Sequence, residues 1–261
     1  MKFSILFSST VLAIALAACQ QPKVYTFVQY NVGAFSKYDA SGVEAIADAI
    51  REINADAVTL NELDSCTTRT GRVDQLAAFA REMEGWNQHF AAAMPYKGGA
   101  YGVGVASAPG LKVISTGKIA LPKMNGHEPR AVAIVEYEDF VLCSTHLDLT
   151  LEAQLEQVNV INHYIDSLYA GGGKPIFIGG DFNCFPDSEP IAHLKESWTL
   201  LTPVSDTFPS HEPDRCIDYI FVRPNGHKVT VRKTAIPRHL ETSDLATASD
   251  HLPVVLTVSI E

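Results

Sequence analysis

The sequence has no clustered basic run: Arg69 with Arg72, and Arg232 with Lys233, are its densest basic groupings in a chain with 20 Lys and Arg against 30 Asp and Glu. Tight, sequence-independent binding of duplex nucleic acid draws on such clusters, so strong duplex-DNA binding is not expected. Internal repeats and low-complexity segments are also missing, which excludes solenoid, fibrous and disordered classes. Cysteine is sparse, with five in 261 residues, and its spacing matches no zinc motif. No apolar run reaches the ~20 residues that a spanning helix requires. What is there, 46% hydrophobic content over 261 residues, is enough for one substantial core.

The first eighteen residues differ from the rest. Lys2 precedes an apolar run from Ile5 to Ala18, and no acidic residue occurs before Asp39. This is the pattern of an export signal. It closes on Leu16-Ala17-Ala18-Cys19, which resembles a bacterial lipobox. That resemblance implies cleavage before Cys19, lipid on its thiol and amino terminus, and a short tether. The expected organisation is a signal peptide over 1–18, lipidated Cys19 and tether over 19–23, and one catalytic domain over 24–261. Export to the cell envelope follows, and Gln20 after the cysteine favours the outer membrane. The domain is expected to be a monomer. Cys66, Cys143, Cys184 and Cys216 remain in its body, either as disulfides, in one of three full pairings, or as buried free thiols.

Short apolar runs rich in Val, Ile, Phe and Tyr predict strands over 24–30, 57–60, 102–107, 112–116, 131–136, 140–145, 175–178, 217–222, 229–234 and 254–260. Val43, Ile46, Ala47, Ile50 and Ile53 share one helical face, opened by the capping box Ser41-x-x-Glu44. Leu151, Leu155, Val158, Ile161, Ile165 and Leu168 form a second stripe, closed by Gly171-Gly172-Gly173. A third helix is expected over about 74–84. Helices alternate with strands only in places, and pairs such as 131–136 with 140–145 need antiparallel neighbours. A mixed α/β sandwich follows.

The polar clusters fall at the ends of these strands, where α/β architectures place their sites. Tyr30-Asn31, Asn61-Glu62, Thr145-His146, Gly180-Asp181-Phe182-Asn183, Ile217-Asp218 and Ser249-Asp250-His251 occur in that order. In this order, and across nearly the whole chain after residue 23, they resemble the endonuclease/exonuclease/phosphatase family of metal-dependent phosphohydrolases. Asp64, Arg69, Asp74-Gln75, Gly99-x-Tyr101-Gly102, Pro129-Arg130-Ala131 and Thr207-Phe208-Pro209 are similar to a bacterial hydrolase branch of that family. The resemblance implies a four-layer α/β/β/α sandwich with two packed mixed, largely antiparallel sheets.

Phosphate ester hydrolysis needs a cation against developing charge, a positioned water, and donors around the non-bridging oxygens. Asn31 and Glu62 offer hard oxygen ligands that suit Mg²⁺, with Mn²⁺ or Ca²⁺ as alternatives, better than zinc. Asp250 resembles the remaining acidic ligand, on the same ion or a second one. Asp181 is the preferred base and Asn183 a donor to phosphate or water, while His251 as base stays open. Asp218 resembles the acid that orients His251, and His146 resembles a second transition-state donor. Tyr101 and Arg130 are expected at the substrate rim, Arg130 with a planar fork suited to phosphate. Phe208 packs on substrate or on the protein. The expected reaction is phosphodiester hydrolysis outside the cytoplasm, on a lipid headgroup, a soluble ester or a nucleic acid. A phosphomonoesterase acting on a sugar or inositol phosphate, and a non-catalytic tethered binding protein, are the alternatives.

Overall fold

The computed structural model describes residues 21–36 and 42–261. Cys19, the export segment and Ser41 of the expected capping box lie outside the described residues. In chain order the elements are β1 (Lys23–Asn31), α1 (Val43–Ile53), β2 (Ala57–Ser65), α2 (Gln75–Glu82), β3 (Asn87–Tyr96), β4 (Gly99–Ser107), β5 (Val113–Leu121) and β6 (Arg130–Tyr137). They continue with β7 (Val141–His146), α3 (Leu151–Leu168), β8 (Ile176–Asp181), α4 (Glu189–Lys195), β9 (Thr199–Leu200), β10 (Asp218–Arg223), β11 (Val229–Ala235), α5 (Leu245–Ala248) and β12 (Val254–Ile260).

Two six-stranded sheets form, in the orders β11-β12-β1-β2-β4-β3 and β5-β6-β7-β8-β10-β9. Each contains one parallel pair, β1 with β2 and β7 with β8, bridged by α1 and α3 respectively; the other pairs are antiparallel. A parallel pair needs a crossover, and an amphipathic helix that covers the outer sheet face supplies it. Ile46, Ala47, Ala49 and Ile50 of α1 are buried against the first sheet, and Val158, Ile161 and Ile165 of α3 against the second. Asn54 ends α1 in the left-handed region at φ 58° and gives its N–H to the Arg51 and Ile50 carbonyls. Asp74 opens α2 by accepting the Ala77 N–H at 3.1 Å.

The facing sheet surfaces enclose a third core. Phe27 stands 4.9 Å, ring to ring, from both Phe140 and Phe177, with Tyr25 and Tyr137 against Phe140. Burying each such ring is worth roughly 1.5–3 kcal/mol. The result is the four-layer α/β/β/α sandwich that the family resemblance implies.

β3 is the largest departure from the sequence reading. Asn87-Gln88-His89-Phe90-Ala91-Ala92-Ala93 has little β-branched content, yet it forms a ten-residue edge strand because β4 pairs with it along its whole length, with one register shift between Ala92 and Met94. β5 runs to Leu121, five residues past the expected end, through its pairing with β6. Cys66, Cys143, Cys184 and Cys216 are free thiols, and the last three are buried. Among the described residues no helix is long and apolar enough to cross a membrane.

Candidate active site

The C-terminal ends of the two parallel pairs meet at one end of the sandwich. Asn31 lies opposite Asn61 on β1 and β2, and His146 opposite Asp181 on β7 and β8. A buried polar lattice joins the two ends. Thr59 donates to Gln29 Oε1 at 2.7 Å, and Gln29 Nε2 donates to Asn61 Oδ1 at 2.6 Å and Asp218 Oδ1 at 3.2 Å. Asn61 in turn donates to the Thr145 carbonyl at 2.7 Å and accepts the Asp181 N–H at 3.0 Å. The sheets approach so closely here that a Cβ on Gly179 would stand 2.4 Å from Thr59 Oγ1. A satisfied buried network of this kind fixes the site's geometry.

Asn31 is fully buried at the centre. Its Nδ2 lies 3.0 Å from Asp181 Oδ2, 3.3 Å from Glu62 Oε1 and 3.3 Å from His251 Nε2, while its Oδ1 accepts the Gly33 N–H. Glu62 reaches the same place by a bulge. The β2–β4 register shifts between Leu60 and Leu63, and Glu62 sits at φ 59°, a region an L residue occupies only at a cost. Strain held at a carboxylate beside the site is a signature of function.

Asp181 is sunk to 2% exposure. Burial, and then the Asp218 carboxylate, push it up to about 7, against the opposing pull of His251 and hydrogen bonds from Asn183 and Asn31. Its Oδ2 lies 3.5 Å from His146 Nε2 and 3.6 Å from His251 Nε2. Burial alone would lower His251, but the carboxylates of Asp218 and Asp181 prevail and raise it to about 9. Asp218 holds the ring through Nδ1 at 2.9 Å and also accepts from the Thr207 hydroxyl at 2.6 Å. His251 is therefore set as a cation whose Nε2–H faces the centre.

Asp181, Asp218 and His251 bring ligand atoms within 4.8 Å of one another. Asp218 is already committed on both oxygens to Thr207, His251 and Gln29, so its place is to orient the histidine. The carboxylates of Glu62 and Asp250 stand on the cavity wall beside Asp181, where they face the space a cation would take. The hard carboxylate oxygens gathered here fit a divalent ion. Asn31 would join with its oxygen only after its amide turns away from Gly33.

These groups floor an open cavity of about 540 Å³ lined also by His146, Asn183, Tyr101, Arg130 and Phe208. Asn183 Nδ2 contacts His146 Nε2 and the Leu147 carbonyl, both at 3.0 Å. Arg130 is 6% exposed, pairs with Glu128 at 3.2 Å and approaches His146 Nδ1 at 3.4 Å. Its Nε has no hydrogen-bond partner among the described residues. Phe208 packs on the protein, 4.7 Å from the His251 ring, and lines the cavity.

The structure thus gathers Asn31, Glu62, His146, Asp181, Asn183, Asp218, Asp250 and His251 at one place, with Tyr101 and Arg130 on its wall. Gln29 and the wall residues His127 and Arg215 were not picked out from the sequence, and Asn61, Thr207 and Ser249, which stand in its motifs, were given no role there. Gln29 had a signal, since it lies two residues before Asn31 and strand alternation puts both on one face. Ser249 donates to the Asn31 carbonyl at 2.7 Å, a contact across 218 residues that no local pattern reveals. His89, with its ring nitrogen 2.8 Å from the Gly117 carbonyl, and His193, tied to Asn159, lie outside the cavity wall.

The model of the endonuclease/exonuclease/phosphatase family matches residues 28–251. No curated protein sequence matches the chain. Among solved structures, an endonuclease/exonuclease/phosphatase from Bacteroides vulgatus superposes with a TM-score of 0.75 at 17% identity, covering 92% of this chain and 100% of that one. A mannosyl-6-phosphatase of Bacteroides thetaiotaomicron gives 0.68 at 16% identity over 91% and 99% of the two chains. The human Nocturnin catalytic domain with bound sulfate gives 0.66 at 19% identity over 92% and 98%.

Proposed function

The chain belongs to the endonuclease/exonuclease/phosphatase family, whose members are phosphoric ester hydrolases that depend on divalent metal, and from that premise we propose that it is a phosphodiesterase working by in-line attack of water. The observation that carries the reading is the Asp181 carboxylate, buried between two histidine Nε2 atoms at 3.5 and 3.6 Å on the floor of an open cavity. It is a proton acceptor facing donors.

In this reading Asp181 takes the proton of the attacking water. His251, charged and held by Asp218, gives its Nε2–H to a non-bridging phosphoryl oxygen, which suits it to stabilise charge and leaves the base to Asp181. His146 and the Asn183 amide supply further donors, and Arg130 and Tyr101 position the ester from the wall. Glu62, Asp250 and, once its amide turns, the Asn31 oxygen would hold a divalent ion, Mg²⁺ in first place, which would neutralise the developing negative charge. Glu62, Asp181 and His251 are all present, which supports an enzyme over a binding protein that kept only the fold.

Bis(4-nitrophenyl) phosphate should be hydrolysed with Mg²⁺ or Mn²⁺ and spared after chelation. Asp181→Asn should lower kcat by about 10²–10⁴-fold while leaving the fold intact. Absence of turnover with Mg²⁺, Mn²⁺ and Ca²⁺ on both diesters and monoesters would overturn the proposal. A monoesterase reading uses the same floor, and the likeness to a mannosyl-6-phosphatase favours keeping it in the assay. Comparing each diester with its matched monoester decides between them. The lipobox at 16–19 supports action outside the cytoplasm on a lipid tether. The mass of the mature protein from a native host tests it: acyl chains on Cys19 are expected, and a water-soluble form without them would refute the tether.

A further inference from the structure

The cavity wall carries three arginines, Arg69, Arg130 and Arg215, in a chain of net charge −10. Arg130 belongs to the catalytic end described above. Arg69 is built in separately. Its Nε and Nη2 donate to the two oxygens of Asp64 at 2.7 and 2.8 Å, and the Thr67 hydroxyl secures the same carboxylate at 2.6 Å. Asp64 is fully buried, so the fork is anchored from behind. The guanidinium lies 4.6 Å above the Tyr96 ring and 5.6 Å from that of Tyr101.

The tyrosines are held to the same frame. β3 and β4 turn at Lys97-Gly98, and a Cβ on Gly99 would come within 2.2 Å of the Ser65 carbonyl oxygen, so only glycine lets the hairpin dock on the loop that bears Arg69. Of the five N–H groups of a guanidinium, Asp64 uses two, and Nη1 has no protein acceptor among the described residues. The side chain is 33% exposed, at the cavity wall. A surface cation with no ligand role is ordinarily loose. This one is stacked and doubly hydrogen-bonded, on the wall of the cavity that Glu62 also lines.

We infer that Arg69, stacked on Tyr96, is a subsite for a second anionic group, so that the substrates are phosphate esters that carry a further phosphate or carboxylate besides the scissile phosphoryl. The inference rests on the phosphoesterase reading. The free guanidinium edge supplies paired N–H donors to the second anion, and Tyr96 keeps the fork from swinging away, which reduces the ordering cost of binding. Both a phosphate and a carboxylate present the two oxygens that this edge recognises.

Two matched pairs of chromogenic diesters test it. One pair is thymidine 5′-(4-nitrophenyl phosphate) with and without a 3′-phosphate; the other is 4-nitrophenyl ethyl phosphate against 4-nitrophenyl carboxymethyl phosphate. The wild-type protein should prefer the doubly anionic member of at least one pair by tenfold or more in kcat/KM, chiefly through KM, and the pair that responds identifies phosphate or carboxylate. Arg69→Met should bring that ratio close to one, and Arg69→Lys should leave part of it. The ratio is taken within one preparation, so loss of folded protein cancels. A ratio near one for both pairs in the wild type, or a preference that survives in Arg69→Met, overturns the subsite. No turnover of any of the four esters with Mg²⁺ or Mn²⁺ counts instead against the phosphoesterase reading.

Discussion

Glu62 shows most directly how a single residue is held for chemistry at the expense of stability. Its φ of 59° costs an L residue about 1–2 kcal/mol, and the β-bulge that imposes it turns the carboxylate toward Asn31 and the cavity. Glu62→Gly removes that cost, although glycine returns roughly 0.5–1 kcal/mol through its freer unfolded chain. The expected outcome is a protein as stable as the wild type or more stable by about 1 kcal/mol in denaturant unfolding, with its metal-dependent turnover lost. Glu62→Ala keeps the strained backbone and should lose activity without that gain. If the two variants unfold alike, the strain does not reside at this residue. The sequence made Glu62 legible because it stands at a strand end beside other polar residues, in the order of the family's motifs. It concealed the backbone conformation, since a positive φ at a glutamate is imposed by pairing of β2 with β4 and leaves no mark on local composition.

At the scale of elements, site loops are pinned by helices and buried acids more than by their own sequence. Asp148, fully buried after β7, accepts the N–H groups of His127 at 2.9 Å, Glu128 at 3.0 Å and Thr150 at 3.1 Å, and so ties the β5–β6 connection to the start of α3. Gln157 of α3 accepts the Asp148 N–H at 2.9 Å and donates to the Pro122 carbonyl at 2.9 Å. Burial alone would raise the Asp148 carboxyl, but the N–H groups of Glu128, Thr150 and His127 outweigh it and hold it below the usual carboxylate range. A lowered folded-state value contributes stability that is fully present above the ordinary Asp value of about 3.9 and lost as pH falls through the folded value. Asp148→Asn should therefore cost about 1.5–3 kcal/mol at neutral pH, as loss of charged hydrogen bonds does. The gap to the wild type should close as pH falls below about 4. A gap independent of pH between 7 and 3 would assign the loss to shape and not to charge. Periodicity exposed α1 and α3 because their apolar faces repeat. It missed β3, whose alanine-rich stretch is a strand only because β4 is beside it.

The whole molecule is two like halves, each a sheet with one parallel pair and its crossover helix, packed so that the parallel pairs end together. That juxtaposition made six separated motifs into one site, and their order along the chain made it readable before the fold was known. The contacts of Gln29 and Asn61 with Asp218, Thr145 and Asp181 that join the halves were unreadable, because they cross from one sheet to the other. The same geometry bears on the proposed tether. β1 runs from Lys23 to Asn31, nine residues or about 30 Å of strand, so the chain enters at the end of the sandwich remote from the catalytic floor. Lys23 is fixed there by Asp139 at 2.5 Å, in the turn between β6 and β7. Four residues from Cys19 to Lys23 span at most about 14 Å. A tether so short at that end would turn the cavity away from the anchoring bilayer. The lipidated mature protein beginning at Cys19, on vesicles, should hydrolyse a soluble diester with the same kcat/KM, within about twofold, as the protein lacking residues 1–20, and should show no gain when its substrate is displayed in the anchoring vesicle. A marked gain on that substrate would mean that the domain lies over to face its own membrane, and that the strand direction does not set its orientation.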